Sequence, residues 1–552
     1  MARSKARVYT CFALTTLFVV AAVVCIAVLA RREKCPTGAF LKAAAAADSR
    51  KCSEVARDIL QRGGSAVDGA IAALLCTSVM NPQSMGIGGG SIFTVMDRSG
   101  KVKIINSRET VPRKFNSNLL KSCSNTLSNS GSQWIGVPGE IRGYEQAHRL
   151  YGKLPWATLF QPTIQMARRG FPLPPVQGRY VSYINANDTQ SLRELYSDEN
   201  GRLLKTGDTV KFEKLADTLE TIAEHGANAF YTGPIAENLV RDIQEAGGTL
   251  TVQDLAAYTV TVSDAWAVPV GEYQMYIPPP PAGGIILSLI LNILKGYDMN
   301  SASLRGEQKT LTYHRYAEAF KFANGLKKNI RDPEFGSEEA ARRLLEERFA
   351  EHIRSLISSD ETHELQYYNV TPHLDGMGTT HVSVLAEDGS AVSVTSTINH
   401  IFGSKVFSAS TGVILNNELS DFCGRADNIF PGEQPPSSMA PVVLKSPSRT
   451  LVVGASGGSM ITTGISSMLI NHLWFGKSLK EAIAAPVVFV DAQNALKFEP
   501  AFDKSVIEGL EALGHKRENA TFFYNVVNVV EKDGDCICAA SDARKLGEAA
   551  GY

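Results

Sequence analysis

The stretch GTTHVSVLAEDGSAVSVTSTIN, residues 378–399, decides the fold. Small polar and apolar residues alternate on both sides of the turn sequence Glu387-Asp388-Gly389-Ser390. Such alternation around a tight turn predicts a β-hairpin, with strands over 380–385 and 391–395. The pattern therefore puts Thr379, preceded by Gly378, at the first position of a strand.

A threonine at the head of a strand has two interpretations. It can be an ordinary β-branched residue at a sheet edge, which is the commoner case. Alternatively, chain cleavage before Thr379 would free its α-amine, a base with an ordinary pKa near 7.7–8.0 that can activate the adjacent hydroxyl. The hairpin alone does not distinguish these two readings, and the rest of the chain must do so.

The composition of the whole chain excludes several classes of protein. Its 552 residues contain 55 Lys and Arg against 56 Asp and Glu, a formal net charge of -1. A chain without a global positive field is not expected to bind nucleic acid through its phosphates. With 44% hydrophobic and 20% charged residues, it has an ordinary globular composition and sufficient length for a large core.

The N-terminus departs from this average. Residues 8–30 read VYTCFALTTLFVVAAVVCIAVLA, an uncharged run long enough to cross a bilayer as a helix. The run is too long for the apolar part of a cleaved leader, so we expect an uncleaved signal anchor after a cytoplasmic stub at 1–7. Basic residues flank it on both sides and do not set the orientation.

Sequons and cysteines favour the secretory side for the rest of the chain. Cys52 and Cys76 bracket two helix-like segments, an arrangement that suits a disulfide without proving it. Cys536 and Cys538 have no second pair to complete a zinc site and are expected to be core or free thiols. Three N-x-[ST] sequons are candidate glycosylation sites. They are Asn187, Asn369 and Asn519.

Seven ordered motifs give the chain a resemblance to the gamma-glutamyltransferases (glutathione hydrolases), which are N-terminal-nucleophile hydrolases. The motifs are MGIGGG at 85–90, NSRETVP at 106–112, GTTHVSV at 378–384, TSTIN at 395–399, NNELSDF at 416–422, PSSMAP at 436–441 and GASGG at 454–458. The segments QWIGVPGE at 133–140 and PPPPAGG at 278–284 look closest to the leukotriene-C4-cleaving subtype.

The resemblance implies a fold and a reaction. The fold is an α+β four-layer αββα sandwich, preceded here by the single transmembrane helix. Self-cleavage between Gly378 and Thr379 would give a large subunit, 31–378, and a small subunit, 379–552, that together form one core. Thr379 would accept the γ-glutamyl group of glutathione or a conjugate as an ester and pass it to water, an amino acid or a dipeptide. Neither a cofactor nor a metal is expected.

The resemblance also assigns roles to individual residues. Arg108, Ser437 and Ser438 match residues that hold the α-carboxylate of the glutamyl group, which suits a guanidinium and two hydroxyls. Asn399, Glu418 and Asp421 match residues that receive its α-ammonium. Thr397 matches the second threonine beside the nucleophile, and Gly457 and Gly458 match the oxyanion hole.

Two positions beside the motifs receive no role in binding or catalysis. His381 follows the nucleophile closely and is expected to be structural. After Asn399 the chain reads His400-Ile401-Phe402 where broad-specificity members carry a Tyr near the pocket. This difference leaves the preference on the acceptor side open.

The apolar run at 8–30, the sequons and the cysteines together predict a single-pass type II cell-membrane protein with its catalytic part outside the cell.

Two rival functions remain on sequence grounds. GASGG also fits G-x-S-x-G, with Ser456 as the nucleophile of an α/β-hydrolase and His472 or His515 as its base. That reading leaves the Thr379 and Arg108 motifs unexplained. The other rival is a catalytically silent surface protein that uses the fold for binding, against which the intact set of site residues argues.

Overall fold

A computed structural model describes residues 35–123, 129–184, 189–371, 376–519 and 525–552. The stub at 1–7, the anchor at 8–30 and Asn187 lie outside these residues. Within them, no helix combines the length and apolarity needed to cross a bilayer. The chain divides into two units, Met1–Ala39 and Phe40–Tyr552. The described part of the first unit is a short turn in which the Ala39 amide donates to the Pro36 carbonyl.

The secondary structure of the second unit alternates between strands and helices. The strands are β1 (Ala44–Ala46), β2 (Gly90–Met96), β3 (Val102–Ser107), β4 (Phe171–Pro172), β5 (Thr209–Val210), β6 (Thr261–Asp264), β7 (Trp266–Val270), β8 (Tyr273–Ile277), β9 (Thr380–Leu385), β10 (Ala391–Thr397), β11 (Phe407–Ser408), β12 (Val413–Ile414), β13 (Val442–Lys445), β14 (Arg449–Ser456), β15 (Val488–Val490), β16 (Leu496–Phe498), β17 (Arg517–Glu518), β18 (Val526–Asp533), β19 (Cys536–Ser541) and β20 (Ala550–Gly551).

The helices are numbered in the same way. They are α1 (Arg50–Gln61), α2 (Ala66–Met80), α3 (Glu140–Tyr151), α4 (Trp156–Arg169), α5 (Pro175–Val181), α6 (Gln190–Leu195), α7 (Glu213–His225), α8 (Asn228–Tyr231), α9 (Gly233–Glu245), α10 (Val252–Ala257), α11 (Gly284–Lys295), α12 (Glu307–Leu326), α13 (Glu338–Arg343), α14 (Glu347–Leu356), α15 (Ile461–Leu469), α16 (Leu479–Ala484) and α17 (Lys504–Ala512).

The predicted hairpin lies at the centre of a seven-stranded sheet with the order β20-β1-β9-β10-β2-β3-β6. Strands β9 and β10 are antiparallel, with Val382 opposite Val394 and Thr380 opposite Ser396. The structure confirms the prediction, with β9 beginning one residue after Thr379. A six-stranded sheet with the order β19-β18-β14-β13-β8-β7 faces it. Segments on both sides of the predicted cut supply strands to each sheet, as expected for one shared core.

The two faces of β9 explain why its sequence alternates. Val382 and Val384 point toward the helices that cover the first sheet, chiefly α2, and join the largest apolar cluster. His381 and Ser383 point toward the second sheet, where the Ser383 hydroxyl donates to the Asn528 carbonyl. Helices α11, α12 and α15 cover the outer face of the second sheet. The result is the expected αββα layering, with a partly polar interface between the sheets.

Disulfides reinforce the part of the fold that carries the site. Cys52 in α1 and Cys76 in α2 form the predicted bond, with 5.3 Å between their Cα atoms. A second bond joins Cys123 to Cys423 across 300 positions of sequence. The expectation of two core or free thiols was wrong for Cys536, which is disulfide-bonded, and right for Cys538, which is free.

Candidate active site

The hairpin register brings two threonine hydroxyls together. Because Thr380 pairs with Ser396, the next residues outward, Thr379 and Thr397, meet at the same end of the hairpin. Their Oγ1 atoms lie 3.1 Å apart, and both side chains are buried. Thr397 Oγ1 also accepts a hydrogen bond from the Asn399 amide at 2.8 Å, which fixes its orientation. The structure therefore places the second threonine where it contacts the predicted nucleophile.

The peptide bond before Thr379 lies in an unfavourable backbone conformation. Thr379 has φ of +79°, a region that β-branched residues rarely adopt, and Gly378 has φ of +154°. A Cβ at Gly378 would lie 1.8 Å from the Asn399 carbonyl oxygen, so only glycine fits. Strain of this kind persists only where the surrounding structure enforces it, and it concentrates at functional sites.

The Gly457 amide holds the carbonyl of this strained bond. It donates to the Gly378 oxygen at 3.0 Å. Gly457 and Gly458 follow β14 directly and have φ of +127° and +56°, which explains the requirement for glycine at both positions. At Gly458 a Cβ would also lie 2.2 Å from the Gly376 oxygen. The predicted oxyanion residues thus lie beside the carbonyl that precedes Thr379, with Gly457 donating to it.

Arg108 is fully buried at the end of β3 and is bonded on every side. Its Nη1 donates to Glu418 Oε1 at 2.6 Å, and its Nη2 donates to Asp421 Oδ2 at 2.7 Å. Its Nε and Nη2 also donate to the carbonyls of Pro435 and Pro436, each at 2.7 Å. The residue predicted to bind a carboxylate is therefore paired with the two acids predicted to bind an ammonium.

The acids of this cluster differ in exposure and charge. The side chain of Asp421 is 27% exposed, whereas that of Glu418 is 2% exposed. Burial, opposed by Arg108 and reinforced by Asp421, raises the pKa of Glu418 to about 7. Burial also raises the pKa of Glu109 well above its usual value, and both of its carboxyl oxygens are buried without a hydrogen bond. Asp421 is the member of this cluster that reaches solvent.

The remaining predicted binding residues surround this pair. The Asn399 side-chain amide donates to Asp421 Oδ1 at 2.9 Å and to the Ser420 hydroxyl at 3.0 Å. Ser437 and Ser438 occupy a loop that packs against the PPPPAGG segment, where the Ser437 amide donates to the Pro281 carbonyl at 2.8 Å. All three residues line the same cavity.

The cavity is an open cleft of about 490 Å³ that joins these groups. Thr379, Thr397, Glu418, Asp421 and Gly458 line it together with Asn399, Ser437 and Ser438. Arg108, Gly457 and Gly378 are not among the lining residues, although Arg108 bonds to Glu418 and Asp421, which are. The cleft therefore assembles the nucleophile and seven of the other predicted residues.

Sequence reasoning missed several residues that shape the cleft. Gly283 has its amide bonded to the Met439 carbonyl, and a Cβ there would lie 2.7 Å from the Ser438 oxygen. In the Gly-rich loop, a Cβ at Gly89 would lie 2.0 Å from the Thr397 oxygen, so the loop supports the second threonine by close packing. The glycine-rich sequence was a signal for close backbone packing, but it did not show which residues pack against Gly283 or Gly89.

The rival serine nucleophile is not arranged for catalysis. Ser456 is fully buried, and its hydroxyl lies 3.0 Å from Lys545 Nζ. The rings of His472 and His515 contact Glu531 and Lys321 instead. Neither of these two histidines is therefore placed as a base for Ser456.

His381 also lacks a role in the cleft. Its ring bonds to Thr395 and Ser383 between the sheets, and burial lowers its pKa to about 3. The structural role expected for His381 agrees with this position.

One cluster of metal-ligand type occurs among the described residues. His314, Glu318 and His515 lie with their ligand atoms within 4.8 Å of one another. His314 and His515 hydrogen-bond to each other at 2.8 Å, and Lys321 Nζ lies 3.0 Å from His515 Nδ1. An ammonium within bonding distance competes with a cation, so this arrangement is better explained as a buried polar network.

Comparison with known proteins agrees with the geometry. Residues 52–552 match the family model described as Gamma-glutamyltranspeptidase. The chain is 46% identical to the Glutathione hydrolase 5 proenzyme of Rattus norvegicus, with 94% of each chain covered, and 45% identical to that of Homo sapiens, with 96% of each covered. The crystal structure of cephalosporin acylase from Bacillus halodurans has the same fold, with a TM-score of 0.84 at 24% identity over 94% of this chain and 97% of that one. The chain therefore belongs to the gamma-glutamyltranspeptidase family of enzymes.

Proposed function

We propose that the protein cleaves the γ-glutamyl bond of glutathione and glutathione conjugates through a γ-glutamyl ester on Thr379. The observation that carries this proposal is the environment of that residue. Its hydroxyl contacts Thr397, its backbone is strained, and the preceding carbonyl is held by the Gly457 amide. The names of the relatives, glutathione hydrolase, support the substrate class.

Maturation would be the first reaction at this site. Thr379 Oγ1 attacks the Gly378 carbonyl carbon, the Gly457 amide stabilises the oxyanion, and the C–N bond breaks to leave an ester and a free α-amine. Water then hydrolyses the ester, giving a carboxylate on Gly378 and restoring the Thr379 hydroxyl. The strain stored at +79° and +154° is relieved when this bond breaks.

Turnover would reuse the same groups. The α-amine of Thr379 accepts the hydroxyl proton while Oγ1 attacks the γ-carbonyl of the donor, and the departing amine takes the proton. Water or an acceptor amine then attacks the resulting ester. The contact with Thr397 orients Oγ1 in both half-reactions.

The glutamyl head group would bind by exchanging ion pairs. The charges of its ammonium and its carboxylate cancel. The two groups would replace the ion pair between Arg108 and Asp421 with two ion pairs, in which Arg108 binds the carboxylate and Asp421 binds the ammonium. Asp421 is the member of that pair which reaches the cleft. Asn399, Ser437 and Ser438 would supply the remaining hydrogen bonds.

The lining of the cleft suits a conjugate with an apolar group. Ile286, Phe422, Met439 and Ile461 are among its lining residues, and so is Lys328. Apolar side chains together with a cation fit a thioether-linked lipid on a peptide that ends in a carboxylate. We extend the proposal to leukotriene C4 on this basis. It is checked by comparing kcat/KM for leukotriene C4 and glutathione.

The proposed location is the cell surface, with the body anchored by residues 8–30. Two disulfides favour an oxidising compartment, and the sequon residues Asn369 and Asn519 are exposed. Replacement of residues 1–34 by a cleavable signal peptide should move activity from the membrane fraction to the medium, and glycosidase treatment should increase gel mobility. Retention of the truncated chain in membranes would contradict the anchor.

The deciding experiment compares wild type, Thr379→Ala and Ser456→Ala on a reducing denaturing gel and in a glutamate-release assay. We expect two bands and activity for the wild type, one full-length band and no activity for Thr379→Ala, and less than about a tenfold loss for Ser456→Ala. Abolished activity in a normally cleaved Ser456→Ala protein would favour the serine rival. A cleaved but inactive wild type would favour the silent binding protein.

A further inference from the structure

A buried ion pair lies directly behind the proposed nucleophile. Lys545, at the end of a short 3-10 helix, is 1% exposed, and Asp48, between β1 and α1, is fully buried in its side chain. Lys545 Nζ lies 2.7 Å from Asp48 Oδ2 and 2.5 Å from the carbonyl oxygen of Thr379. No sequence motif drew attention to this pair, whose members are 497 positions apart.

The polar atoms around the pair show that it is built into the fold. Asp48 Oδ2 also accepts from the Thr380 hydroxyl at 2.6 Å, and its Oδ1 accepts from the Asn528 side chain at 2.7 Å. Lys545 Nζ donates to the Ser456 hydroxyl at 3.0 Å. Breaking a buried pair by removing one partner is normally costly, so a pair at this position ties the connection that carries Asp48 to the 3-10 helix that ends at Lys545.

We propose that Lys545, held by Asp48, is a positioning residue for the Thr379 nucleophile. The ammonium fixes the Thr379 carbonyl and thereby the backbone that aims Oγ1 at Thr397. It also supplies a positive charge behind the α-nitrogen of the same residue. This inference rests on the proposed function, because it assumes that Thr379 reacts and that its α-amine is the base.

The distance to that amine follows from covalent geometry. A residue's nitrogen and carbonyl oxygen are joined by three bonds, so Lys545 Nζ lies within about 6 Å of the Thr379 nitrogen. A like charge at this distance disfavours the ammonium form, and an opposite charge favours it. Lys545 therefore helps keep the amine unprotonated and ready to act as a base, while Asp48 works in the opposite direction.

Other charged groups face Thr379 from the cleft rather than from behind the strand. They are Asp421 and Glu418, which are paired with Arg108, and the His400 ring. Burial lowers the pKa of His400, and the negative charge of Asp421 offsets only part of this effect. These groups remain unchanged in variants of Lys545 and Asp48. If a Lys545 variant and an Asp48 variant shift the pH dependence of kcat in opposite directions, the cause is therefore the buried pair itself.

The test measures self-cleavage and the pH dependence of kcat in Lys545→Met, Lys545→Arg and Asp48→Asn, with rates expressed per cleaved small subunit. Lys545→Met should slow self-cleavage, lower kcat at least tenfold with KM within threefold, and move the acid limb of kcat up by about one pH unit. Asp48→Asn should move that limb down. Lys545→Arg, which keeps the charge, should retain a limb near that of the wild type.

Lys321→Met is the matched control, because Lys321 is also a buried lysine within 3.5 Å of a carboxylate, Glu318. It should lower the unfolding temperature and leave the acid limb unchanged. Unshifted limbs in both Lys545→Met and Asp48→Asn, or shifts in the same direction, would overturn the inference. If Lys545→Met does not fold, the limbs of Asp48→Asn and Lys545→Arg decide. An inactive, uncut wild type would instead refute the proposed function.

Discussion

Replacing Thr397 with valine isolates the contact that orients the nucleophile. Valine has nearly the same shape, so the change removes only the hydroxyl. Two hydrogen bonds are lost, one of 3.1 Å with Thr379 Oγ1 and one of 2.8 Å from the Asn399 amide. The buried amide left without an acceptor should cost about 1–3 kcal/mol of folding stability.

The catalytic cost should come from the other bond. Without Thr397 Oγ1, the Thr379 hydroxyl can rotate away from the attacking position. A loss of about 1.4–2.8 kcal/mol of transition-state stabilisation corresponds to a 10- to 100-fold lower kcat. KM should change less than threefold, because the head-group residues are untouched. Self-cleavage should slow by a similar factor, since it uses the same hydroxyl.

Thr395→Val is the matched control on the same strand. Thr395 is buried, and its hydroxyl bonds to His381 Nδ1 at 2.9 Å, away from the cleft. Its loss should destabilise the protein by a comparable amount and leave kcat near that of the wild type. The assay combines urea unfolding, glutamate release from glutathione, and a reducing-gel time course of cleavage. Equal kcat values for the two cleaved variants would refute the role of Thr397.

Three other outcomes test different parts of the account. The cleaved protein should run as one band on a denaturing gel without reductant and as two bands with it, because the Cys123–Cys423 bond joins the two sides of the cut; two bands without reductant would contradict this. KM for glutathione should rise as pH falls below about 7, because protonation of Glu418 removes a carboxylate expected to bind the substrate ammonium. The Glu418→Gln variant should have a high KM that does not change over this pH range. Burial raises the pKa of Glu140 from 4.5 to about 8, so the folded state holds a proton that the unfolded state loses between these values, and stability falls as pH rises. The fall between pH 5 and pH 8 should be on the order of 3 kcal/mol, and Glu140→Gln should abolish it in urea unfolding at these two pH values.

Local patterns predicted the parts of the fold that depend on near neighbours. The alternation around Gly389 predicted the hairpin, and the register found in the structure brings Thr379 and Thr397 together. The pairing of Cys52 with Cys76 was accessible for the same reason, because only two helices separate them. The family motifs then placed the remaining site residues in one cleft.

Contacts between distant segments could not be predicted in this way. The ion pairs of Arg108 with Glu418 and Asp421 join positions more than 300 residues apart, and only the folded chain brings the end of β3 to the 3-10 helix Glu418–Phe422. The pairing of Lys545 with Asp48 requires two segments far apart in sequence to meet beside β9. Buried charges of this kind follow no local period, so their partners become visible only in three dimensions.

The central claim is that Thr379 carries the glutamyl group during turnover. The most direct measurement is mass spectrometry of the wild-type enzyme, quenched in acid during steady-state turnover of isotopically labelled glutathione and digested to peptides. We expect a small-subunit peptide that begins at Thr379 and carries one labelled glutamyl group through a hydroxylamine-sensitive ester. Label on Ser456, or turnover by a chain in which Thr379 is still joined to Gly378, would contradict it.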